Sequence, residues 1–331
     1  MVKQLGSEQA LKGFDLILPF IPEIKPYLAD ETIQDICING NGTVYVDRCG
    51  QMHRAGRNLL DSKKLMFALQ RIARHGGEEL DESNPFLDSW LPDGSRIAAA
   101  IAPYSVGGPT VTIRKFQRHH FSLDHLVQLG TLTREFAELL RGASKARTNI
   151  LISGQPGSGK TSLQNALLNE LHPTRDRVLV IEESAELQIQ AENVTRFECR
   201  NAGKQVTIRD LVKVALRHRP DHLVIGEIRG AEAMDLLDAL NTGNSGSMTT
   251  IHANSAQSAL TKLSNLALRA SGDVPYQSIQ AQIADVIHYV IHMERKGDER
   301  YVAELLRLSS YDFGNNAFQF ECLFERTQHH D

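Results

Sequence analysis

The chain has 331 residues, of which 41% are hydrophobic and 23% are charged, and this balance excludes a disordered or collagen-like protein. At about 150 residues per domain, the length predicts two domains. Lys and Arg total 36 against 40 Asp and Glu, so the net charge of −4 argues against a surface coated with basic residues for nucleic acid.

The first third of the chain has the pattern of a small α+β domain. Two short β-type runs within residues 34–46 flank Asn-Gly pairs, which predicts a hairpin. Helical spacing of apolar residues predicts a helix over 62–75, and two further strands are expected within 91–116. We expect an N-terminal domain over 1–117, followed by a linker over 118–131.

The rest of the chain, residues 132–331, alternates between strand and helix patterns. This alternation predicts a parallel sheet covered by helices on both faces, and the segment 286–326 predicts terminal antiparallel strands. Thr207 and Asp210 fit a variant of the capping box at the start of one helix. The predicted strands are 148–153, 177–183, 222–227 and 247–253, and the predicted helices are 160–171, 207–217, 230–240 and 255–268.

The strongest motif is the octapeptide GQPGSGKT at 154–161, which fits G-x-x-x-x-G-K-[ST] between a strand and a helix. Its glycines let backbone N–H groups point at phosphate oxygens, and the following helix adds the positive end of its dipole. Lys160 is expected to reach the β- and γ-phosphates of ATP, and the Thr161 hydroxyl to bind Mg²⁺. The predicted nucleotide-binding residues are Gly154, Gln155, Pro156, Gly157, Ser158, Gly159, Lys160, Thr161 and Ser162.

Acidic residues and a histidine follow the neighbouring predicted strands. Glu182 is a candidate to polarise the attacking water, Glu227 to hold the magnesium shell, and His252 to donate a hydrogen bond to the γ-phosphate. These side chains would meet because ligands lie at the carboxyl ends of parallel strands. The alternatives are solvated strand-end charges for the acids and a buried core position for the histidine.

These motifs, in this order, resemble the secretion ATPase superfamily of type II and type IV secretion, conjugation and pilus machines. The segments that carry the resemblance are the 154–161 loop, "IEESAELQ" at 181–188, "LRHRPDHLVIGEIRG" from residue 216 and "TTIHANS" at 249–255. The resemblance covers roughly residues 30 to 300 and is greatest to conjugal-transfer and type IV secretion ATPases. Relatives with a four-cysteine zinc module are disfavoured, because the four cysteines here form no C-x-x-C pair.

The resemblance implies a RecA-like P-loop core preceded by a PAS-like N-terminal domain. It also implies a homo-hexamer in the cytoplasm, associated peripherally with the bacterial inner membrane and with the secretion or conjugation machinery there. By position, Glu182 matches the catalytic glutamate, Glu227 the acid of the second nucleotide motif and His252 the histidine-box residue. Arg96 and Arg114 match basic residues of the N-terminal domain that face the phosphates in the family.

Two positions depart from the family pattern. Asn244 stands where relatives commonly have histidine, and Glu183 replaces an aspartate, so no metal contact is assigned to Glu183. Arg229 is a weaker candidate, for a subunit contact.

The sequence therefore predicts a hexameric Mg²⁺-dependent ATPase that powers type IV secretion, conjugative transfer or pilus assembly through nucleotide-driven domain motion. One alternative is a nucleic-acid translocase or helicase with the same core, which the net charge and the 6% aromatic content disfavour. Another is an assembly platform that binds nucleotide without hydrolysing it. No sequence-specific binding of nucleic acid is expected.

Overall fold

The chain divides into two compact units, residues 1–119 and 120–331. The computed structural model describes residues 14–48, 50–57, 60–116, 122–171, 174–183, 185–199, 206–243, 245–272 and 274–326. Asn244 and part of the predicted linker, residues 118–121, lie outside the described residues. Within the described ranges, no helix combines the length and the apolar composition needed to cross a bilayer.

The first unit contains an antiparallel sheet whose strands are ordered β3-β2-β1-β6-β5-β4. The predicted hairpin and the helix over 62–75 are confirmed, whereas β3 and β4 were not predicted. The elements are β1 (Ile33–Ile38), β2 (Val44–Arg48), β3 (Gln51–Gly56), β4 (Phe86–Trp90), β5 (Arg96–Ala100), β6 (Thr110–Arg114), α1 (Lys25–Ala29) and α2 (Ser62–His75).

Helix α2 shows why the local sequence folds as it does. The Asp61 carboxylate caps the helix by accepting hydrogen bonds from the backbone N–H groups of Lys63 and Lys64. Leu65, Leu69 and the other apolar residues at helical spacing are buried against the sheet, so one face of the helix contributes to the core of this unit.

The second unit is built on an eight-stranded mixed sheet in the order β14-β13-β12-β7-β11-β10-β8-β9. Its strands are β7 (Ile150–Gly154), β8 (Val178–Glu182), β9 (Val194–Glu198), β10 (His222–Ile225), β11 (Met248–Ile251), β12 (Tyr289–Lys296), β13 (Glu299–Asp312) and β14 (Ala317–Glu325). Its helices are α3 (Leu123–Gln128), α4 (Arg134–Lys145), α5 (Lys160–Leu168), α6 (Ile208–Ala215), α7 (Glu232–Asn241), α8 (Ala256–Ser271) and α9 (Tyr276–Val286).

The sheet of the second unit is parallel from β12 to β9, and helices cover both of its faces. Leu151 and residues of α6, α7, α8 and α9 belong to one apolar cluster, while Ile150, Ile152 and residues of α3, α4 and α5 belong to another. Neighbouring residues of one strand point to opposite faces, so this alternation places a helical layer on each side. The predicted α/β class and the doubly covered parallel sheet are confirmed.

Several details of the second unit differ from the sequence-based expectation. The helix that begins at Lys160 ends at Leu168, and the one capped by Thr207 ends at Ala215 with a 3₁₀ turn after it. The capping box of Thr207 and Asp210 is confirmed. The predicted terminal strands are antiparallel to one another, and β12 also pairs in parallel with β7, which joins them to the central sheet. The elements α3, α4, α9 and β9 were not predicted.

The strand order positions the functional residues. The carboxyl ends of β7, β11, β10 and β8 stand side by side in that order. The segments that follow them carry the 154–161 loop, His252, Glu227 and Glu182 respectively. Neighbouring strands lie about 4.8 Å apart, so four distant segments of the chain meet at one edge of the sheet.

Candidate functional site

The 154–161 loop joins the end of β7 to the start of α5, and glycine is required at two of its positions. Gly154 has a φ of +151°, and a Cβ atom there would lie 2.4 Å from the carbonyl oxygen of Met293. Gly159 has a φ of +95° and caps α5. Because L-residues with side chains rarely adopt these angles, the loop depends on glycine for its shape.

Lys160 is buried inside this loop and is bonded to the loop's own backbone. Its Nζ donates hydrogen bonds to the carbonyl oxygens of Gly154 at 3.0 Å and Gln155 at 2.9 Å, and it lies 3.2 Å from His252 Nδ1. Burial lowers the pKa of the Lys160 ammonium, and the carboxylates of Glu227 and Glu186 oppose this effect. The ammonium is therefore held among carbonyl oxygens at the mouth of the loop.

His252, Glu227 and Arg229 continue a chain of contacts away from Lys160. His252 Nε2 lies 2.9 Å from Glu227 Oε1, although the geometry is not that of a hydrogen bond. Arg229 donates a hydrogen bond from Nη2 to Glu227 Oε2 at 2.8 Å, and its Nη1 pairs with Glu183. The permanent charges alternate in sign from Lys160 through Glu227 to Arg229, and the guanidinium of Arg229 is occupied by two carboxylates of its own chain.

Glu182 is buried at the end of β8 with a side chain 4% exposed. Its Oε1 accepts hydrogen bonds from the backbone N–H groups of Glu186 at 2.9 Å and Leu187 at 2.8 Å. Burial raises the pKa of this carboxyl to about 7, against an ordinary value of 4.5. Within the described ranges, its hydrogen bonds go to its own loop and to Arg196, so the structure does not join it to the group formed by Lys160, His252 and Glu227.

Glu186 is a site residue that the sequence analysis missed. Its Oε2 lies 3.5 Å from the Thr161 hydroxyl oxygen, which brings the loop after β8 against the start of α5. The available signal was the third acid of the segment "IEESAE", four residues after Glu182. Glu186 does not end a strand, so the strand pattern does not mark it, and its place depends on the hydrogen bond from its backbone N–H to Glu182.

Two further contacts to the loop come from distant parts of the chain. Gln155 is hydrogen-bonded through its side chain to Asn254, two residues after His252. Arg300, on β13, donates a hydrogen bond from Nε to the carbonyl oxygen of Gly157 at 3.0 Å. Arg300 carries no sequence motif, and only the pairing of β12 with β7 brings its hairpin to the loop.

Arg96 and Arg114 lie in the first unit, on adjacent strands and directly opposite one another. Arg96 pairs with Asp88, and its guanidinium lies 5.4 Å from the ring centroid of Trp90. Arg114 pairs with Asp35 at 3.1 Å. Both guanidinium groups are at the surface of their own unit and are balanced there by carboxylates.

The residues at the edge of the second sheet fit a triphosphate and a magnesium ion. Ser158 Oγ and Glu227 Oε1 are buried polar atoms without a hydrogen-bond partner in the part of the chain that the structure describes. Buried polar atoms of this kind normally have a partner, so Ser158 Oγ is available to a ligand. Glu227 Oε1 has His252 Nε2 as an ionic neighbour at 2.9 Å. The hydroxyl of Thr161 and the carboxylate of Glu227 supply the oxygen donors that Mg²⁺ prefers.

Comparison with known proteins finds a protein family and several relatives. A profile of the family described as "Type II/IV secretion system protein" matches residues 22–309. The chain is 34% identical to the conjugal transfer protein TrbB of Rhizobium radiobacter, over 89% of this chain and 88% of that protein. It is 30% identical to the type IV secretion system protein PtlH of Bordetella pertussis, over 83% of this chain and 89% of that protein.

A solved structure with the same fold is that of the ATPase DotB of Legionella pneumophila. It matches with a TM-score of 0.66 at 19% identity, over 87% of this chain and 80% of that chain. At this level of identity the match concerns the fold alone. It supports the RecA-like core preceded by an N-terminal domain that the sequence predicted.

Proposed function

Because the chain belongs to the type II/IV secretion system protein family, we propose that it is an ATPase that powers conjugative transfer or type IV secretion. The proposed reaction is the Mg²⁺-dependent hydrolysis of ATP at the loop formed by residues 154–162. The named relatives support the assignment to transfer and secretion.

The observation that carries the proposal is the meeting of three charged or titratable side chains from three separate segments. Lys160 at the start of α5, His252 after β11 and Glu227 after β10 form a continuous chain of contacts with separations of 3.2 and 2.9 Å. A glycine-rich turn without a ligand has no need of this arrangement, whereas a triphosphate and its counter-ion require cationic and acidic groups in one place.

Each residue has a specific role in the proposed reaction. Lys160 would exchange its bonds to the loop's carbonyl oxygens for bonds to phosphate oxygens, which are stronger because donor and acceptor both carry charge. Thr161 and Glu227 would hold Mg²⁺, which neutralises negative charge on the phosphates when it is bound. His252, next to Lys160, would contact the γ-phosphate.

Glu182 is the proposed base that prepares the attacking water. Its pKa of about 7 suits a group that must take up a proton near neutral pH. In the present arrangement its carboxylate is bonded to the backbone of Glu186 and Leu187. We expect nucleotide binding at Thr161 to reorganise this loop through Glu186, which joins the two elements.

The larger assembly is part of the same proposal. We propose a homo-hexamer at the cytoplasmic face of the bacterial inner membrane, bound peripherally to the secretion or conjugation machinery. The N-terminal domain (1–117, PAS-like) would move relative to the ATPase domain (132–331) as ATP is bound and hydrolysed. The part of the linker (118–131) that forms α3 would stay with the ATPase domain, because it packs there with α4 and α5. Arg96 and Arg114 would leave their carboxylate partners to neutralise charge on the γ-phosphate.

The test compares nucleotide binding and hydrolysis in three variants. Lys160→Ala should lose ATP turnover, whereas Glu182→Gln should bind ATP and hydrolyse it about a hundredfold or more slowly. Lys145→Ala, on the exposed end of α4, removes a lysine outside the site and is the matched control. Normal hydrolysis by Lys160→Ala would remove the loop from the mechanism. Wild-type protein that binds ATP but shows no single-turnover hydrolysis would instead indicate an assembly platform.

A further inference from the structure

Arg196 lies beside the buried carboxylate of Glu182. Its Nη1 donates a hydrogen bond to the carbonyl oxygen of Leu187 at 2.8 Å and lies 3.5 Å from Glu182 Oε2. The other carboxylate oxygen of Glu182 accepts the backbone N–H of Leu187. Arg196, Glu182 and Leu187 therefore form a closed ring in which each member contacts the other two.

The β-sheet register explains why this arginine reaches that carboxylate. Strand β9 pairs in parallel with β8, and Arg196 stands opposite Val180, two residues before Glu182. Residues at i and i+2 of a strand share a face of the sheet, so Arg196 and Glu182 lie diagonally on the same face. The arginine extends along this face toward the end of β8, where the loop to Leu187 begins.

The other groups around Glu182 that the structure describes provide no second cation. From β10 the neighbour is the backbone of Gly226, where an added Cβ would lie 3.2 Å from Glu182 Cγ. From the loop the nearby charge is Glu186, whose carboxylate raises the pKa of Glu182 further, whereas Arg196 lowers it. Among the described residues, Arg196 is the cation that forms an ion pair with Glu182.

We propose that Arg196 is the positioning residue for Glu182 and fixes the direction of its carboxylate through this ring of contacts. The proposal rests on the proposed role of Glu182 as the base for hydrolysis. In the part of the chain that the structure describes, the Arg196 side chain contacts Glu182 and Leu187 and makes no hydrogen bond to the 154–161 loop. It therefore acts through Glu182, and its removal should alter the protonation of that residue.

The expected effect is a change in the pH dependence of hydrolysis. A base must be deprotonated to act, so the rate falls on the acidic side of its pKa. Loss of a cation 3.5 Å from the carboxylate raises that pKa by about one pH unit, because the arginine side chain is 35% exposed and partly screened. The acidic part of the pH–rate profile should therefore move to higher pH by the same amount. In this part the neutral Arg196 variants should hydrolyse ATP about tenfold more slowly than the wild type, whereas at about pH 9 the two rates should agree within about twofold.

The experiment is single-turnover hydrolysis of ATP with Mg²⁺ by the full chain, from about pH 5.5 to about pH 9. Arg196→Gln and Arg196→Met remove the charge in two different ways, so that one neutral variant remains if the other does not fold. Arg196→Lys keeps the charge and should keep the wild-type midpoint. Arg177→Gln is the matched control, because Arg177 contacts His218 and Asn193 near the start of β8 and does not contact Glu182.

Different outcomes separate this proposal from the proposed function. A wild-type midpoint in the neutral Arg196 variants, with the rate lowered equally at every pH, would show that Arg196 only supports the loop and would overturn the inference. A Glu182→Gln variant that hydrolyses ATP normally would instead refute the role of Glu182. A shifted pH–rate profile in the Arg196 variants together with slow, pH-independent hydrolysis by Glu182→Gln supports both.

Discussion

Replacing Glu182 by glutamine should stabilise the ATPase unit at alkaline pH while it slows hydrolysis. The carboxyl of Glu182 is buried, and its pKa is raised to about 7 in the folded chain from an ordinary value of 4.5. Glutamine has nearly the same shape and keeps an oxygen that accepts the N–H groups of Glu186 and Leu187. The substitution therefore removes the charge and retains these hydrogen bonds.

The size and sign of this effect follow from the two pKa values. Below the unfolded-state value the carboxyl is protonated in both states, and its burial has no ionic cost. As the pH rises toward about 7 the cost grows, and above that value it reaches about 3 kcal/mol, at about 1.4 kcal/mol per pH unit. This cost already includes the attraction of the partly exposed Arg196, which lowers the pKa of Glu182, so no separate loss of the ion pair is subtracted. The gain should be about 3 kcal/mol at about pH 8 and close to zero at about pH 4.5.

The assay is equilibrium unfolding in urea, without nucleotide, of the wild-type chain and the Glu182→Gln variant at both pH values. Because the chain has two compact units, the relevant transition is the one that shifts when ADP and Mg²⁺ are added. Equal stabilities at about pH 8, or a difference that does not change with pH, would refute the reasoning from burial.

Three other substitutions, and a fourth that serves as a control, test the 154–161 loop, the role of Glu186 and the core of the second unit. Gly154→Ala places a Cβ 2.4 Å from the carbonyl oxygen of Met293 and should weaken ATP binding at least about tenfold. Binding is measured with a fluorescent nucleotide, and an unchanged affinity would show that the loop is not the binding element. Glu186→Gln should retain binding and lower single-turnover hydrolysis about tenfold or more, and a normal rate would remove Glu186 from the site. Leu167 is fully buried on α5, so Leu167→Ala should lower the free energy of unfolding in urea by about 2–5 kcal/mol. Leu268 is partly exposed on α8, so Leu268→Ala should lower it by less than about 1 kcal/mol. Similar losses in both variants would contradict the assigned core.

The central architecture of the second unit could be predicted because the apolar patterns of its strands and helices agreed with the motif that connects them. The apolar run before Gly154 and the helical pattern after Lys160 define one strand and one helix, and the motif between them fixes the connection. Because the carboxyl ends of parallel strands lie at one edge of the sheet, the sequence pattern was enough to assign Glu227 and His252 to the same site. The structure joins them to Lys160 through His252, which contacts both Lys160 and Glu227.

The elements that were missed lacked such local signals. Strand β9 is half-buried at the edge of the sheet and has no apolar run, so neither the strand nor Arg196 on it could be recognised. Arg300 reaches the loop through strand pairing between segments more than a hundred residues apart in the sequence, which no short pattern encodes. The Glu182 carboxylate accepts a hydrogen bond from the backbone N–H of Glu186, and this bond helps to place Glu186 near Thr161. Both contacts depend on the conformation of a loop, which residue spacing does not predict.

The central claim is that the 154–161 loop holds the phosphates of ATP. It is tested most directly by a structure of the chain with a non-hydrolysable ATP analogue and Mg²⁺. We predict that Lys160 Nζ leaves the carbonyl oxygens of Gly154 and Gln155, which it now contacts at 3.0 and 2.9 Å, and bonds to phosphate oxygens instead. A nucleotide bound elsewhere, or a Lys160 that keeps its carbonyl contacts with the analogue in place, would contradict the account.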